Sequence, residues 1–409
     1  MAKYKSEFMR VMRERGFIHQ CTDESGLDAK LEQGKTAGYI GFDCTASSLH
    51  VGSLIQIMVL RWLQKTGHKP IILLGGATTK IGDPSGKDES RPPISDEKIE
   101  ENKKGIKGNF SQFGLGNCTF VDNSEWLEKL SLLTLLRDVG KHFSVNRMLT
   151  QDSVKLRLER EQNLSFIEFN YMVMQAYDFV ELHKKYGCTI QIGGSDQWGN
   201  IVMGIDLGRK MRSAELFGLT TPLITTADGA KMGKTAAGAV WLDPKMLSPY
   251  DYWQFWRNTN DKDVERFLKL FTELELAKIN EIMAGNINEA KKILATEATT
   301  LCHGRDAAEK SAETARKTFE EGKLGEGLPD FKIEKSELEK GVTAFALIHR
   351  SGLESSTSKA RQLIQGNGAK INDQKIENET QQVTLKDLNS DGVIKLSAGK
   401  KKHVIVKPV

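Results

Sequence analysis

Over roughly the first 225 residues, short apolar runs alternate with longer stretches of helical spacing. Ala37 to Phe42 precedes the helical pattern Leu54 to Gln64, and Pro70 to Leu74 precedes a glycine-rich loop. Cys118 to Val121 is a further apolar run, and Thr189 to Ile192 precedes the helical pattern Trp198 to Lys210. This alternation predicts β-α-β units around a parallel sheet, in which ligands bind beyond the carboxyl ends of the strands. From Ser248 to Glu321 the pattern turns strongly helical, with apolar spacing in Phe267-Leu268-Leu270-Phe271 and few strand formers, and it predicts an all-helical domain. Glu321 to Pro329 holds three glycines and a proline in nine residues, a linker composition. Near Thr343 a third unit starts with two amphipathic helices, Ala344 to Arg350 and Ser358 to Gln365, which stop at Gly366-Asn367-Gly368. Short strands follow at Ala369 to Ile371, Val393 to Leu396 and Val404 to Val406. No internal repeat of fixed period is present.

A chain of 409 residues exceeds one ordinary core, in keeping with two to three domains. With 39% hydrophobic and 27% charged residues it is globular, and no run of 18 apolar residues is present to span a bilayer. Met1 to Arg15 lacks the continuous apolar core of a secretory signal. The five cysteines, Cys21, Cys44, Cys118, Cys188 and Cys302, form no CxxC pair, which argues against a disulfide framework and a structural zinc and favours the cytoplasm. The net charge of +4 becomes informative when divided. Thr343 to Val409 carries eleven Lys and Arg against six Asp and Glu, leaving the body near neutral. A basic appendix of this kind predicts contact with a polyanion at one end.

Two distant segments carry phosphate chemistry. Leu49-His50-Val51-Gly52-Ser53 stands where the apolar run Tyr39-Ile40-Gly41-Phe42 leads through a loop into a helix, so an imidazole and backbone N–H groups meet a helix N-terminus. Lys231-Met232-Gly233-Lys234-Thr235 follows the turn Asp228-Gly229 and presents two ammonium groups three residues apart. Together they predict ATP activation, because a triphosphate losing pyrophosphate develops charge on its leaving oxygens. Taken singly, His50 reads as a capping or core histidine and the lysines as a surface pair. Their joint order and spacing change that.

Three further segments matter. Gly75-Gly76-Ala77-Thr78 leads to Gly82-Asp83-Pro84-Ser85-Gly86-Lys87, which alone reads as a surface turn. Tyr171, Gln175 and Asp178 stand at i, i+4 and i+7, on one helix face. Phe166, Met172, Met174 and Phe179 around them predict a largely buried helix whose polar face wants a polar ligand. Gly193 to Asn200 joins a predicted strand to a helix, with glycines for close approach and Asp196 or Gln197 for a hydroxylated ligand such as ribose.

His-Val-Gly-Ser and Lys-Met-Gly-Lys-Thr are similar to the His-Ile-Gly-His and Lys-Met-Ser-Lys-Ser signatures of class I aminoacyl-tRNA synthetases. Tyr39 to Ser53, Gly75 to Lys87, Leu136 to Asn146, Tyr171 to Phe179 and Gly193 to Asn200 resemble the bacterial-type tyrosyl-tRNA synthetase family. The tail, at Ser358 to Asn372, resembles more loosely the RNA-binding module of ribosomal small-subunit protein S-four. The resemblance implies an α/β fold with a Rossmann-like parallel-sheet catalytic domain at 1–247. A helical domain on the anticodon side of the tRNA at 248–325, a linker at 326–342 and a small α+β RNA-binding domain at 343–409 complete it. It implies Tyr39 and Asp178 on the tyrosine hydroxyl, Asp83, Tyr171 and Gln175 on its α-ammonium, and Gln197 beside its carboxylate. Thr45 and His50 would hold the γ-phosphate of ATP, with Asp43 and Gly52 near the nucleotide, and Asp196 would bind its ribose. Lys87, Arg91, Lys231 and Lys234 would meet the departing pyrophosphate. Mg²⁺ would accompany the ATP phosphates. Lys359, Arg361 and the basic turn Lys400, Lys401, Lys402 would contact tyrosine tRNA, and the family is homodimeric around Arg137 to Asn146.

Two departures stand out. Ser53 replaces the second histidine of the first signature, so a ribose contact there falls to a shorter hydroxyl or is lost. Met232-Gly233 and Thr235 vary the second signature but keep both lysines. Three alternatives stay open: a tryptophanyl enzyme of the same fold, a non-catalytic RNA binder or splicing cofactor on the same scaffold, and a small-molecule nucleotidyltransferase. The first normally lacks the basic tail, the second has no need of His50, Asp83, Lys231 and Lys234, and the third leaves the last two domains without purpose.

Overall fold

Six strands build the central sheet: β1 (Gln20–Cys21), β2 (Ala37–Asp43), β3 (Lys69–Gly75), β4 (Thr119–Asp122), β5 (Cys188–Gly194) and β6 (Phe217–Thr221), in the order β1-β6-β5-β2-β3-β4. The computed structural model describes residues 4–85, 94–227, 229, 232–235, 238–319, 328–389, 391–399 and 402–409, and the statements below concern these. All neighbours pair in parallel except β1, which runs antiparallel to β6. From β2 the chain adds β3 and β4 on one side, while β5 and β6 lie on the other. The order therefore reverses between β2 and β5, where Tyr39 pairs with Gln191, and a crevice opens beyond their carboxyl ends.

The strands are apolar without alternation because helices cover both faces. Ile71, Ile72, Leu73 and Leu74 are all buried. One face packs on the Leu54–Lys65 helix, which buries Ile55, Met58, Val59 and Leu63. The Phe166–Tyr186 helix belongs to the other side. It starts in a capping box of Ser165 with Glu168 and ends at Gly187, whose φ of 63° suits a residue without a side chain. Its Met172, Val173, Ala176 and Val180 pack with Met203 and Leu207 of the Trp198–Arg212 helix. The first turn departs from the burial expected of Phe166. That ring is 79% exposed, among other exposed apolar side chains at Leu132, Leu133, Leu136 and Val145, because nothing among the described residues covers the helix start.

After residue 248 five helices follow, ending at Phe319, and Trp256, Phe267, Leu268, Phe271 and Leu294 share one core with the Leu54–Lys65 helix. A separate core, with Leu347, Ile364, Leu396 and Val406, underlies the C-terminal unit. Residues 330–340 differ from the expected linker over 326–342. Asp330–Ile333 pairs in parallel with Lys402–Pro408, and the Lys335–Lys340 helix buries Leu338. The glycine-rich stretch just before it masked this in the sequence. No helix among the described residues is long and apolar enough to cross a membrane.

The Asp96–Gln112 helix presses on the loop before His50 at a point where only glycine fits: a Cβ on Gly105 would overlap the Ser47 carbonyl oxygen. Gly105→Ala would gain about 1 kcal/mol of helix propensity but incur overpacking of about 1–3 kcal/mol. The expected outcome is a lower thermal midpoint, read by circular dichroism.

Candidate active site

A cleft of about 690 Å³ occupies the crevice beyond β2 and β5, and its inner end is built around one buried carboxylate. Asp178, 2% exposed, accepts from Trp126 Nε1 at 2.7 Å on one oxygen and from Asn123 Nδ2 at 3.1 Å on the other. Burial pushes its pKa up to about 7, while the two donors pull it down. Asn123 is fixed in turn, because its side-chain oxygen accepts the Ala77 N–H at 2.9 Å. Across from Asp178, the buried Tyr39 hydroxyl has no hydrogen-bond partner among the described residues. Burial, and then the Asp178 charge, push this phenol well above its ordinary value. A hydroxyl and a carboxylate facing an apolar slot fit a ligand that carries a hydroxyl of its own.

Polar groups of the Phe166–Tyr186 helix form the middle of the cleft, on the face expected from their spacing. The Tyr171 hydroxyl donates to Asp43 at 3.2 Å, and Thr78 Oγ1 donates to the same carboxylate at 3.0 Å. Gln197 Nε2 donates to Asp83 at 2.8 Å, Gln175 Nε2 to Gln197 Oε1 at 3.2 Å, and Asn200 Nδ2 to Gln175 Oε1 at 2.9 Å. Two carboxylates and several amide oxygens in this small volume favour a cationic group. A Cβ at Gly194 would stand 2.5 Å from Asp196 Oδ1, so a side chain there would displace that carboxylate.

The outer end brings the two phosphate motifs together. His50 opens the turn Val51–Ser53 ahead of the Leu54–Lys65 helix, and its Nδ1 accepts the Gly52 N–H at 2.9 Å. The imidazole stands edge-on to Trp241, with ring centroids 6.1 Å apart. Val51 N donates to Val240 O at 2.9 Å, and Val240 N donates to Gly233 O at 3.0 Å, so the second motif lies against the first. Gly233 has φ of 103°, and a Cβ there would stand 2.7 Å from Gly52 N. Thr45, Ser53 and Asp196 line the same cleft.

Of the residues singled out in the sequence, the cleft gathers Tyr39, Asp43, Thr45, His50, Gly52, Ser53, Asp83, Tyr171, Gln175, Asp178, Asp196 and Gln197. Lys87, Arg91, Lys231, Lys400 and Lys401 lie outside the described residues, as does the side chain of Lys234, whose backbone pairs with Ala239. Lys359, Arg361 and Lys402 sit exposed on the C-terminal unit, away from the cleft, with Arg361 4.2 Å over the Phe345 ring. Sequence reasoning missed Asn123 and Trp126, and it gave no role to Thr78 and Asn200, which end segments it singled out. Asn123 follows the carboxyl end of β4, a position that could have flagged it. Nothing in the spacing singles out Trp126.

A family model described as tRNA synthetases class I (W and Y) matches residues 31–320, and one for the C-terminal domain of SYY-like tyrosine–tRNA ligases matches residues 308–406. The chain is 59% identical to a tyrosine–tRNA ligase of Beijerinckia indica over 98% of this chain and 97% of that protein. It is 56% identical to one of Bradyrhizobium diazoefficiens over the full length of both. A C-terminally truncated mitochondrial tyrosyl-tRNA synthetase of Aspergillus nidulans superposes with a TM-score of 0.70 at 33% identity, covering 77% of this chain and 94% of that one.

The donors on Asp178 stabilise its charged form, so removing either raises its pKa further. In the unliganded protein its carboxyl carbon is expected to titrate near pH 7. In Asn123→Ala and Trp126→Phe the midpoint moves to higher pH, measured by carboxyl carbon NMR.

Proposed function

The chain belongs to the class I aminoacyl-tRNA synthetases of the bacterial tyrosine–tRNA ligase family, and from that membership we propose how its side chains divide the work. It joins L-tyrosine to tyrosine tRNA with ATP, forming tyrosyl-adenylate and pyrophosphate and then transferring tyrosine to the terminal adenosine. The observation that carries the assignment of roles is the buried pair Tyr39 and Asp178 at one end of a cleft whose other end holds His50.

The phenol enters with its hydroxyl donating to Asp178 and accepting from Tyr39. Phenylalanine leaves both partners buried and unmatched, which costs about 1–3 kcal/mol per stranded group. Asp83, Tyr171 and Gln175 take the α-ammonium, and Gln197, tied to Asp83 and Gln175, stands beside the reacting carboxylate. That carboxylate attacks the α-phosphate in line. No side chain serves as nucleophile, and catalysis is placement plus charge stabilisation. Thr45 and His50 hold the γ-phosphate, Asp196 the ribose, with Asp43, Gly52 and Ser53 beside the nucleotide. Lys87, Arg91, Lys231 and Lys234 neutralise the leaving pyrophosphate. Mg²⁺ carried by the ATP phosphates would supply further charge neutralisation there.

Helices after residue 248 and the basic C-terminal unit recognise the tRNA, with Lys359, Arg361 and Lys400 to Lys402 on its phosphates. A second copy of the chain covers the apolar surface around Leu133 and Phe166, which are 78% and 79% exposed. Five free cysteines fit a cytoplasmic setting.

ATP/pyrophosphate exchange with each amino acid, without tRNA, tests the assignment; tyrosine alone is expected to support it, and exchange with tryptophan instead would sink it. The acceptor on the phenol is the ionised Asp178, so tyrosine affinity is expected to rise from pH 6 to pH 8, through the value of about 7, and then level off. Asp178→Asn should flatten that profile, checked by fluorescence titration. Leu133→Asp with Phe166→Asp should convert a species of twice the chain mass into one of the chain mass, by light scattering.

A further inference from the structure

The Val264–Phe271 helix lies between the chain entering the lysine segment and the far end of the Leu54–Lys65 helix, and is tied to each near one of its ends. Asp263 stands at its N-cap position yet makes no capping bond to the helix, where an aspartate ordinarily accepts the helix's own N–H groups. Its buried carboxylate turns outward instead. One oxygen accepts the Ala227 N–H at 2.7 Å, and the other pairs with Arg266 at 2.6 Å, while Arg266 also donates to the Thr225 carbonyl oxygen. Thr225 and Ala227 form the chain that leads directly into the segment carrying Lys231 and Lys234.

The other end of the same helix holds the His50 side. Arg15, 6% exposed, donates to the carbonyl oxygens of Lys269 at 2.9 Å and Thr272 at 3.0 Å and lies 4.6 Å over the Trp62 ring. Glu273 pairs with Arg61 and with Lys65, the latter at 2.9 Å. Trp62, Arg61 and Lys65 all belong to the Leu54–Lys65 helix, whose start is the His50 turn. One short helix therefore connects the base of the lysine segment to the helix that the histidine motif opens.

We infer that Asp263 and Arg266 are positioning residues for adenylate formation: they fix Thr225 and Ala227, through which the chain enters the lysine segment. The inference rests on the ligase reading above. Both side chains lie outside the cleft and touch no reacting group, so they act only through Thr225 to Ala227. A displacement of about 1 Å at reacting groups costs up to about a hundredfold in rate. Tyrosine binding, which depends on β2 and the Phe166–Tyr186 helix, does not involve them.

The test uses the full chain with saturating tyrosine and ATP in single turnover, where the first-order rate constant does not depend on the folded fraction. Asp263→Ala and the more solvent-exposed Arg266→Gln are expected to lower that constant about tenfold, with tyrosine affinity unchanged. Asp263→Asn, which keeps an acceptor for Ala227, should lose less. Variants that form adenylate at the parent rate, or that lose tyrosine affinity in step with rate, would overturn the inference while leaving the ligase reading intact. Absence of adenylate from the unaltered protein would overturn both.

Discussion

Gly52 and Gly233, 181 positions apart, approach each other backbone to backbone, and the phosphate end of the cleft depends on that approach. No side chain fits between them. Gly233 also sits in the left-handed region at φ of 103°, so both its conformation and its surroundings demand glycine. Residues 240–242 then run beside residues 49–51 as an antiparallel bridge, with Leu242 N on Leu49 O at 3.0 Å and His50 opposite Trp241. Main-chain hydrogen bonds thus set the distance between the two motifs. Chemistry that relies on placement gains most from this kind of rigid support.

The opposite end works by a different constraint. Asp178 is a carboxylate that burial would rather see protonated, and Trp126 and Asn123 only partly offset that. Its value of about 7 lies above the ordinary carboxyl range, so ionisation opposes folding: the penalty is absent in acid, grows as pH rises, and is complete above about 7. On the proposed reading, the cost is offset by selectivity for a hydroxylated ligand. Between the two ends, the chain of Asp83, Gln197, Gln175 and Asn200 spreads polar demand over side chains that satisfy one another.

Strands β2, β3 and β5 were legible because burial on both faces leaves continuous apolar runs. The spacing of Tyr171, Gln175 and Asp178 was legible because a helix repeats every 3.6 residues. The two signatures pointed to phosphate chemistry through their joint residue types, order and spacing. Trp126 was not legible, since its role comes from a short helix, Ser124–Leu127, that meets a residue 52 positions later. Phe166 misled because apolar spacing does not report whether the rest of the same fold reaches the first turn of the helix. Residues 330–340 misled because local glycine content obscured a strand whose partner lies at the far end of the chain.

The sequence by itself determined most of the inventory: the strands and helices around the central sheet, which segments carry hydroxyl, carboxylate and cationic side chains, and where the positive charge accumulates. Those properties are local, set by side-chain chemistry and backbone periodicity. Tertiary structure alone decided the reversal of strand order between β2 and β5, the pairing of Asp178 with Asn123 and Trp126, and the contact of Asp263 with the Ala227 N–H. Each joins residues far apart in sequence, and only the packing of the whole core fixes which of them meet.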